Sequence, residues 1–175
     1  DDPTVFQDML GLYAEAATVP ALSDKLELAI SGKKYSKRYE AEARAFLGYA
    51  LSREGNYDAA VKSFDSALAL IKPADDPSAV VRWHVNLAGT WARMAKDLKE
   101  KKPKLEGQDK KLFDGYVKTA RDHVALAAEI ERTLMPIEMR GPAAAAYIEF
   151  LGAQIGEFQA VITWLTGYLE NTDLR

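Results

Sequence analysis

Three observations predict that this chain is an all-α protein built from stacked helical hairpins. Apolar residues recur at helical spacing between well-marked breaks. All seven prolines (Pro3, Pro20, Pro73, Pro77, Pro103, Pro136 and Pro142) fall at those breaks. Proline is tolerated there, whereas inside a helix it costs about 3 kcal/mol. Residues 41–73, AEARAFLGYALSREGNYDAAVKSFDSALALIKP, then place Gly48, Ala60 and Ala67 where two amphipathic helices flanking Gly55-Asn56 must touch. Such a helix-turn-helix unit cannot bury its apolar face alone and stacks on copies of itself.

The punctuation predicts helices over 4–17, 20–31, 37–54, 57–71, 77–100, 109–134 and 142–170. Asp2, Asn56 and Asp76 stand at or beside N-cap positions, and Gly32 and Gly55 are C-terminal stops. A Leu-small pair recurs mid-helix as Leu10-Gly11, Leu47-Gly48, Leu87-Ala88 and Leu151-Gly152. A mid-helix glycine costs about 1 kcal/mol against alanine, so its recurrence points to tight helix crossings. These pairs divide the chain into units at about 4–32, 37–73, 77–134 and 142–170.

Leu26, Ala29 and Ile30 correspond to Phe64, Ala67 and Leu68, and so do Val124 and Ala127, with Ala120 matching Ala60. The connection Lys96–Lys111 carries seven Lys against four acidic residues, so both flanking helices are expected to run past the usual repeat length into solvent. The last stretch is ambiguous, because Gly156-Glu157-Phe158 imitates the turn at Gly55 but follows Leu151-Gly152 too early. A single or kinked helix over 142–170, about 43 Å long if straight, is expected to cap the array, since a solenoid's last apolar face must be covered.

Residues 41–73 resemble a tetratricopeptide repeat, whose motif spans about 34 residues. With Ala41 as its first residue, Leu47, Gly48, Gly55, Tyr57, Ala60, Phe64, Ala67 and Leu68 occupy the family's preferred positions. Arg44 departs where the family favours Trp, Leu51 where it favours Tyr, and Pro73 comes one residue late. The resemblance implies an α-α superhelix of three to four such hairpins over residues 1–175, with a concave groove lined by the first helix of each.

In the family's register the groove positions of the well-matched repeat are Glu42, Ala45, Phe46, Tyr49, Ser52 and Arg53. In the next repeat they are Arg82, Val85, Asn86, Gly89, Ala92 and Arg93. The expected partner-binding set is Glu42, Phe46, Tyr49, Ser52, Arg53, Arg82, Asn86 and Arg93, a mixed surface able to hold an extended peptide and pair with acidic side chains. The Lys/Asn clamp that grips chaperone tails is expected to be absent. Ala45 and Tyr49 stand at its first positions, and only Asn86 agrees.

Composition narrows the function classes. Hydrophobic residues make up 48% and charged residues 28% of the 175, as in an ordinary soluble folded domain. A net charge of −3 supplies no field toward nucleic acid or anionic membranes, and no apolar run reaches the roughly 20 residues of a spanning helix. Lacking cysteine, the chain has no disulfide, thiol catalysis or thiolate metal site, and its compartment, cytoplasmic or periplasmic, stays open. It begins at Asp1 rather than Met, which is compatible with a removed leader or a larger parent.

His84 and His123 stand on different predicted helices without a ligand-spacing motif and are expected to be packing histidines. No phosphate-cradling loop, nucleophile elbow or EF-hand spacing is present. Lys33–Tyr39 interleaves cations with aromatics but is expected to be a solvated connection. Trp83, Leu87 and Trp91 share one helix face, expected to pack in the core, with a partner-anchoring role as the alternative. The expectation is a non-enzymatic module without cofactor or metal that binds a protein or peptide, with self-assembly as the alternative. An enzyme or small-ligand sensor comes third.

Overall fold

The computed structural model describes Ile30 and residues 36–171, all helix, turn or loop, with no strand among them. Expected helix 4–17, all of 20–31 but Ile30, the Asp2 cap, the Gly32 stop and the Leu10-Gly11 pair lie outside the described residues, as do Lys33, Lys34 and Tyr35. The chain divides into two compact units, Asp1–Lys72 and Pro73–Arg175.

The first unit contains α1 (Lys37–Arg53) and α2 (Tyr57–Leu70), packed as a hairpin. Ser36 starts α1, its hydroxyl accepting the Tyr39 N–H at 3.5 Å. The helix ends in a Schellman turn: Gly55 sits at φ +81°, its N–H bonds to Ser52 O, and the Asn56 N–H bonds to Leu51 O at 2.9 Å. A side chain at that φ would be strained, which is why glycine stops the helix. Asn56 holds the N-cap position of α2, yet its side chain makes no capping hydrogen bond.

Gly48 is the contact point of this hairpin. A Cβ there would stand 2.8 Å from the fully buried Phe64 ring, so only glycine lets α2 approach this closely. Ala60 and Ala67, on either side of Phe64, are also fully buried. Arg44, where the repeat family favours Trp, forms an ion pair with Glu40 one turn back.

The second unit opens with α3 (Pro77–Lys101) and α4 (Gly107–Leu134), which pack against each other as long partners. Asp76 caps α3 through the Ala79 N–H at 3.1 Å, with Pro77 in the first turn. The charged connection shrinks to residues 102–106, because most of Lys96–Lys111 is wound into the two helix ends. Lys102 closes the loop on Asp109 at 2.7 Å. Ala120, Val124 and Ala127 are fully buried along α4, in the places expected from Ala60, Phe64 and Ala67.

The expected single or kinked helix over 142–170 is instead interrupted. A 3-10 turn (Ile137–Met139) leads to α5 (Pro142–Ala146), a π-helical stretch (Tyr147–Gln154), and α6 (Phe158–Asn171). Gly156, at φ +87°, breaks the chain as Gly55 does. The two turns differ instructively. Here Gly156 N–H bonds to Gly152 O and Glu157 N–H to Leu151 O, each one residue further back than at Gly55. That longer reach is what a terminus wound as a π-helix requires. The imitation of the Gly55 turn is therefore physical, and the early Leu151-Gly152 is absorbed by the wider winding.

The tight crossing expected at Leu87-Ala88 falls one residue later. Ala88 is fully buried, but it is Gly89 whose Cβ would meet the Phe150 ring at 2.8 Å. Gly152 has only ordinary contacts, the nearest at 3.5 Å. No helix among the described residues is long and apolar enough to cross a membrane.

Two glycines of the second unit should therefore respond with opposite signs. Gly89→Ala forces the Phe150 ring to move and should destabilise by about 1–3 kcal/mol. Gly115→Ala on α4 meets nothing within 4 Å and should stabilise by about 0.5–1 kcal/mol. Urea unfolding followed by tryptophan fluorescence reads this unit alone, since Trp83, Trp91 and Trp164 all lie in it.

Candidate functional site

The expected groove residues separate into supporting and displayed positions. On α1, Phe46 and Ser52 are buried, Phe46 within a cluster that includes Leu47, Ala50, Leu51 and Ala60. Ala45 is buried too, whereas Glu42 and Tyr49 are half-buried and Arg53 is exposed. On α3, Gly89 and Ala92 are buried, Val85, Asn86 and Arg93 are half-buried, and Arg82 is exposed. Each helix thus carries a displayed polar stripe: Glu42, Tyr49 and Arg53 on α1; Arg82, Asn86 and Arg93 on α3. Phe46 and Ser52 are committed to the interior, so they hold the stripe in place rather than form it.

Trp83 and Leu87 are buried in the core, as their shared face implies, and Trp91 is half-buried against Tyr116 at a centroid distance of 5.6 Å. One heptad away on both helices, His84 meets His123, with their Nδ1 atoms 3.1 Å apart. The antiparallel register that pairs Trp91 with Tyr116 also pairs these two histidines. Their ring centroids are 5.3 Å apart. That distance exceeds the nitrogen separation by nearly two ring radii, so the imidazoles meet end-on, in hydrogen-bond geometry. A tetrahedral ion shared between them would instead draw the two ring axes to an angle of roughly 109°. Among the described residues no group of three or more His, Asp or Glu could hold a metal ion.

The second unit carries a trough of about 420 Å³ between α4 and α6. Ala125, Ala128 and Gly167 keep it open, Trp164 and Tyr168 form one wall, and the Glu129–Arg132 ion pair stands at its rim. Trp164 stacks on Tyr147 at 4.3 Å and on Tyr168 at 4.9 Å, so its wall is rigid.

Tyr168 continues inward to the one buried carboxylate among the described residues. Glu131 is 0% exposed. Its Oε2 accepts the Tyr168 hydroxyl at 2.6 Å and the Gly141 N–H at 3.3 Å, and its Oε1 accepts the Ala143 N–H at 2.9 Å. The carboxylate is therefore fully hydrogen-bonded and faces the positive start of α5, which is how a buried charge becomes tolerable. Burial, then the hydrogen bond and charge of Glu131, push the Tyr168 hydroxyl well above the usual tyrosine range. Burial likewise raises the Tyr147 hydroxyl, opposed by Arg121. Both stay protonated, so the aromatic wall offers donors and apolar surface but no base.

Reading for motifs misses Glu131 and the histidine pair, although a positional signal exists. Glu131 continues the stripe Ala120, Val124, Ala127, and His123 lies on the stripe Tyr116, Ala120, Ala127. A polar residue on an apolar stripe is the trace; its partner is visible only once the helices are packed.

Comparisons with family models, curated proteins and solved structures return no match to this chain.

Glu131→Ala should remove the acceptor of three donors, two of them buried, and destabilise the second unit by about 3 kcal/mol. Tyr168→Phe removes only one bond and should cost about 1 kcal/mol. Chemical denaturation followed by tryptophan fluorescence distinguishes the two, and a larger loss in Tyr168→Phe would contradict the assignment of Glu131 as the hub.

Proposed function

We propose that this chain is a non-enzymatic interaction module, a superhelix of three to four tetratricopeptide-like hairpins that binds a peptide or protein segment along the first helix of each hairpin. The supporting observation is the α1–α2 hairpin. Its Gly48–Phe64 contact and its Schellman turn at Gly55 fall where the resemblance over residues 41–73 puts them. With Phe46 and Ser52 turned inward, α1 offers a tyrosine ring flanked by a carboxylate and a guanidinium. That combination suits backbone hydrogen bonding and pairing with mixed-charge segments. The α3 stripe, taken by itself, offers an amide and two guanidinium groups, a bias toward acidic segments.

A second reading, self-assembly, is favoured by a different feature. Phe158 and Ile162, one turn apart on α6, are 63% and 58% exposed, the most exposed large apolar side chains among the described residues. A second copy could cover them.

Affinity capture with the intact chain tests the first reading. Tyr49→Ala combined with Arg53→Ala should lose the partner retained by the unaltered protein by at least tenfold while the chain still unfolds cooperatively, Tyr49 packing also against the buried cluster of α1. Retention of the partner by the double variant overturns the groove assignment. Sedimentation over a hundredfold concentration range tests the second reading. Self-association should appear as a rising mass that Phe158→Asp/Ile162→Asp abolishes, and a concentration-independent monomer refutes it.

A further inference from the structure

We propose that the exposed stripe of α6 is the seam of a symmetric homodimer, covered by the same stripe of a second copy running antiparallel across a two-fold axis at Ile162. The proposal rests on the self-assembly reading above and adds to it the symmetry, the register and the residue at the axis.

The solvent face of α4 is charged, carrying the exposed pairs Lys110–Asp114 and Lys118–Asp122. On α6 the sequence from Phe158 to Leu169 contains no Asp, Glu, Lys, Arg or His. Its exposed positions are Phe158, Gln159, Ile162, Thr163 and Thr166. Both threonine hydroxyls are spent on their own helix: Thr163 Oγ1 donates to Gln159 O and Thr166 Oγ1 to Ile162 O, each at 3.0 Å. Neither has a proton left for an outside acceptor. Phe158 is held in place as well. Its ring lies over Gly152, 3.8 Å from where a Cβ would stand, yet the residue is 63% exposed. A fixed aromatic loses little freedom when it is covered, and depletion of charge around such an anchor is the composition of an interface core.

The lack of charge selects the occupant. Across a two-fold axis each residue meets its own kind, so a charge near the axis would meet its like. This stripe has none to meet, and it offers a charged partner nothing to pair with. A lipid surface would favour Lys or Arg beside the apolar stripe, and α6 carries neither. Antiparallel pairing centred on Ile162 sets that residue against its own copy. One turn to either side it sets Phe158 against Thr166 of the partner subunit, large against small. It also opposes the two helix dipoles.

The full chain contains no cysteine, so one introduced thiol reports its own surroundings. Oxidised Ile162→Cys should give a disulfide-linked dimer in at least tenfold the yield of Leu126→Cys, which is 50% exposed on α4. Equal yields overturn the seam. Charge exchange tests the axis by sedimentation. Ile162→Lys and Ile162→Glu should each weaken self-association at least tenfold, and their equimolar mixture should restore it. If the unaltered chain self-associates but the mixture does not, the two-fold axis at Ile162 is wrong while the self-assembly reading stands. A concentration-independent monomer of the unaltered chain overturns both. Flotation with phosphatidylserine vesicles that Phe158→Asp abolishes would make lipid the occupant and overturn the homodimer.

Discussion

Close approach of an aromatic ring to a glycine backbone is the constraint on which this structure depends. In the first unit Phe64 lies on Gly48, and in the second Phe150 lies on Gly89. Each contact removes the one or two ångströms that a Cβ would impose between helix axes. The flanking alanines, Ala60 and Ala67 in one case and Ala88 and Ala92 in the other, can then close completely. Helix propensity opposes glycine at such positions, so these residues are accepted for packing rather than for local stability. The rest of each interface follows from the spacing this contact sets.

The second unit adds a problem the first does not have among its described residues: a fully buried carboxylate. Glu131 and His123 are placed on α4 stripes otherwise made of alanine, valine and tyrosine. Their tolerance has different causes. Glu131 is satisfied by fixed donors, two of them backbone N–H groups at the start of α5, and so ties α4, α5 and α6 together through one carboxylate. The histidines bridge α3 and α4, their Nδ1 atoms 3.1 Å apart. Glu131 is thus a hub for three elements, whereas the imidazole contact joins two. A polar contact of this kind also restricts register, since sliding α3 by one turn would part His84 from His123.

The winding near the C-terminus shows how local rules adapt without being broken. Gly55 and Gly156 both stop a helix in the left-handed region and both precede an aromatic that opens the next helix, Tyr57 or Phe158. At Gly156 the preceding segment is π-wound, and the terminal hydrogen bonds lengthen by one residue to match. The turn rule survives while the spacing that precedes it changes. Surface charge contributes little to either arrangement. Pairs such as Lys110–Asp114 and Lys118–Asp122 are solvent-exposed, and such pairs are worth about 0–1 kcal/mol each.

The amino-acid order by itself determined the helical content and most boundaries from 37 to 134. Apolar periodicity, proline placement and the Asp76 and Gly55 signals are local, and local physics carried them. It also determined that Gly48, Ala60, Phe64 and Ala67 would meet, because their spacing fits only one hairpin. Tertiary packing alone decided which half of the expected groove faces inward. It also moved the tight contact from Leu87-Ala88 to Gly89, broke the last helix into three segments, and joined His84 to His123 and Glu131 to Tyr168. Those outcomes depend on residues distant in the chain being brought within a few ångströms. Phe150 selects Gly89 and the start of α5 selects Glu131 only because the intervening helices have already packed, and no short-range pattern encodes that distance.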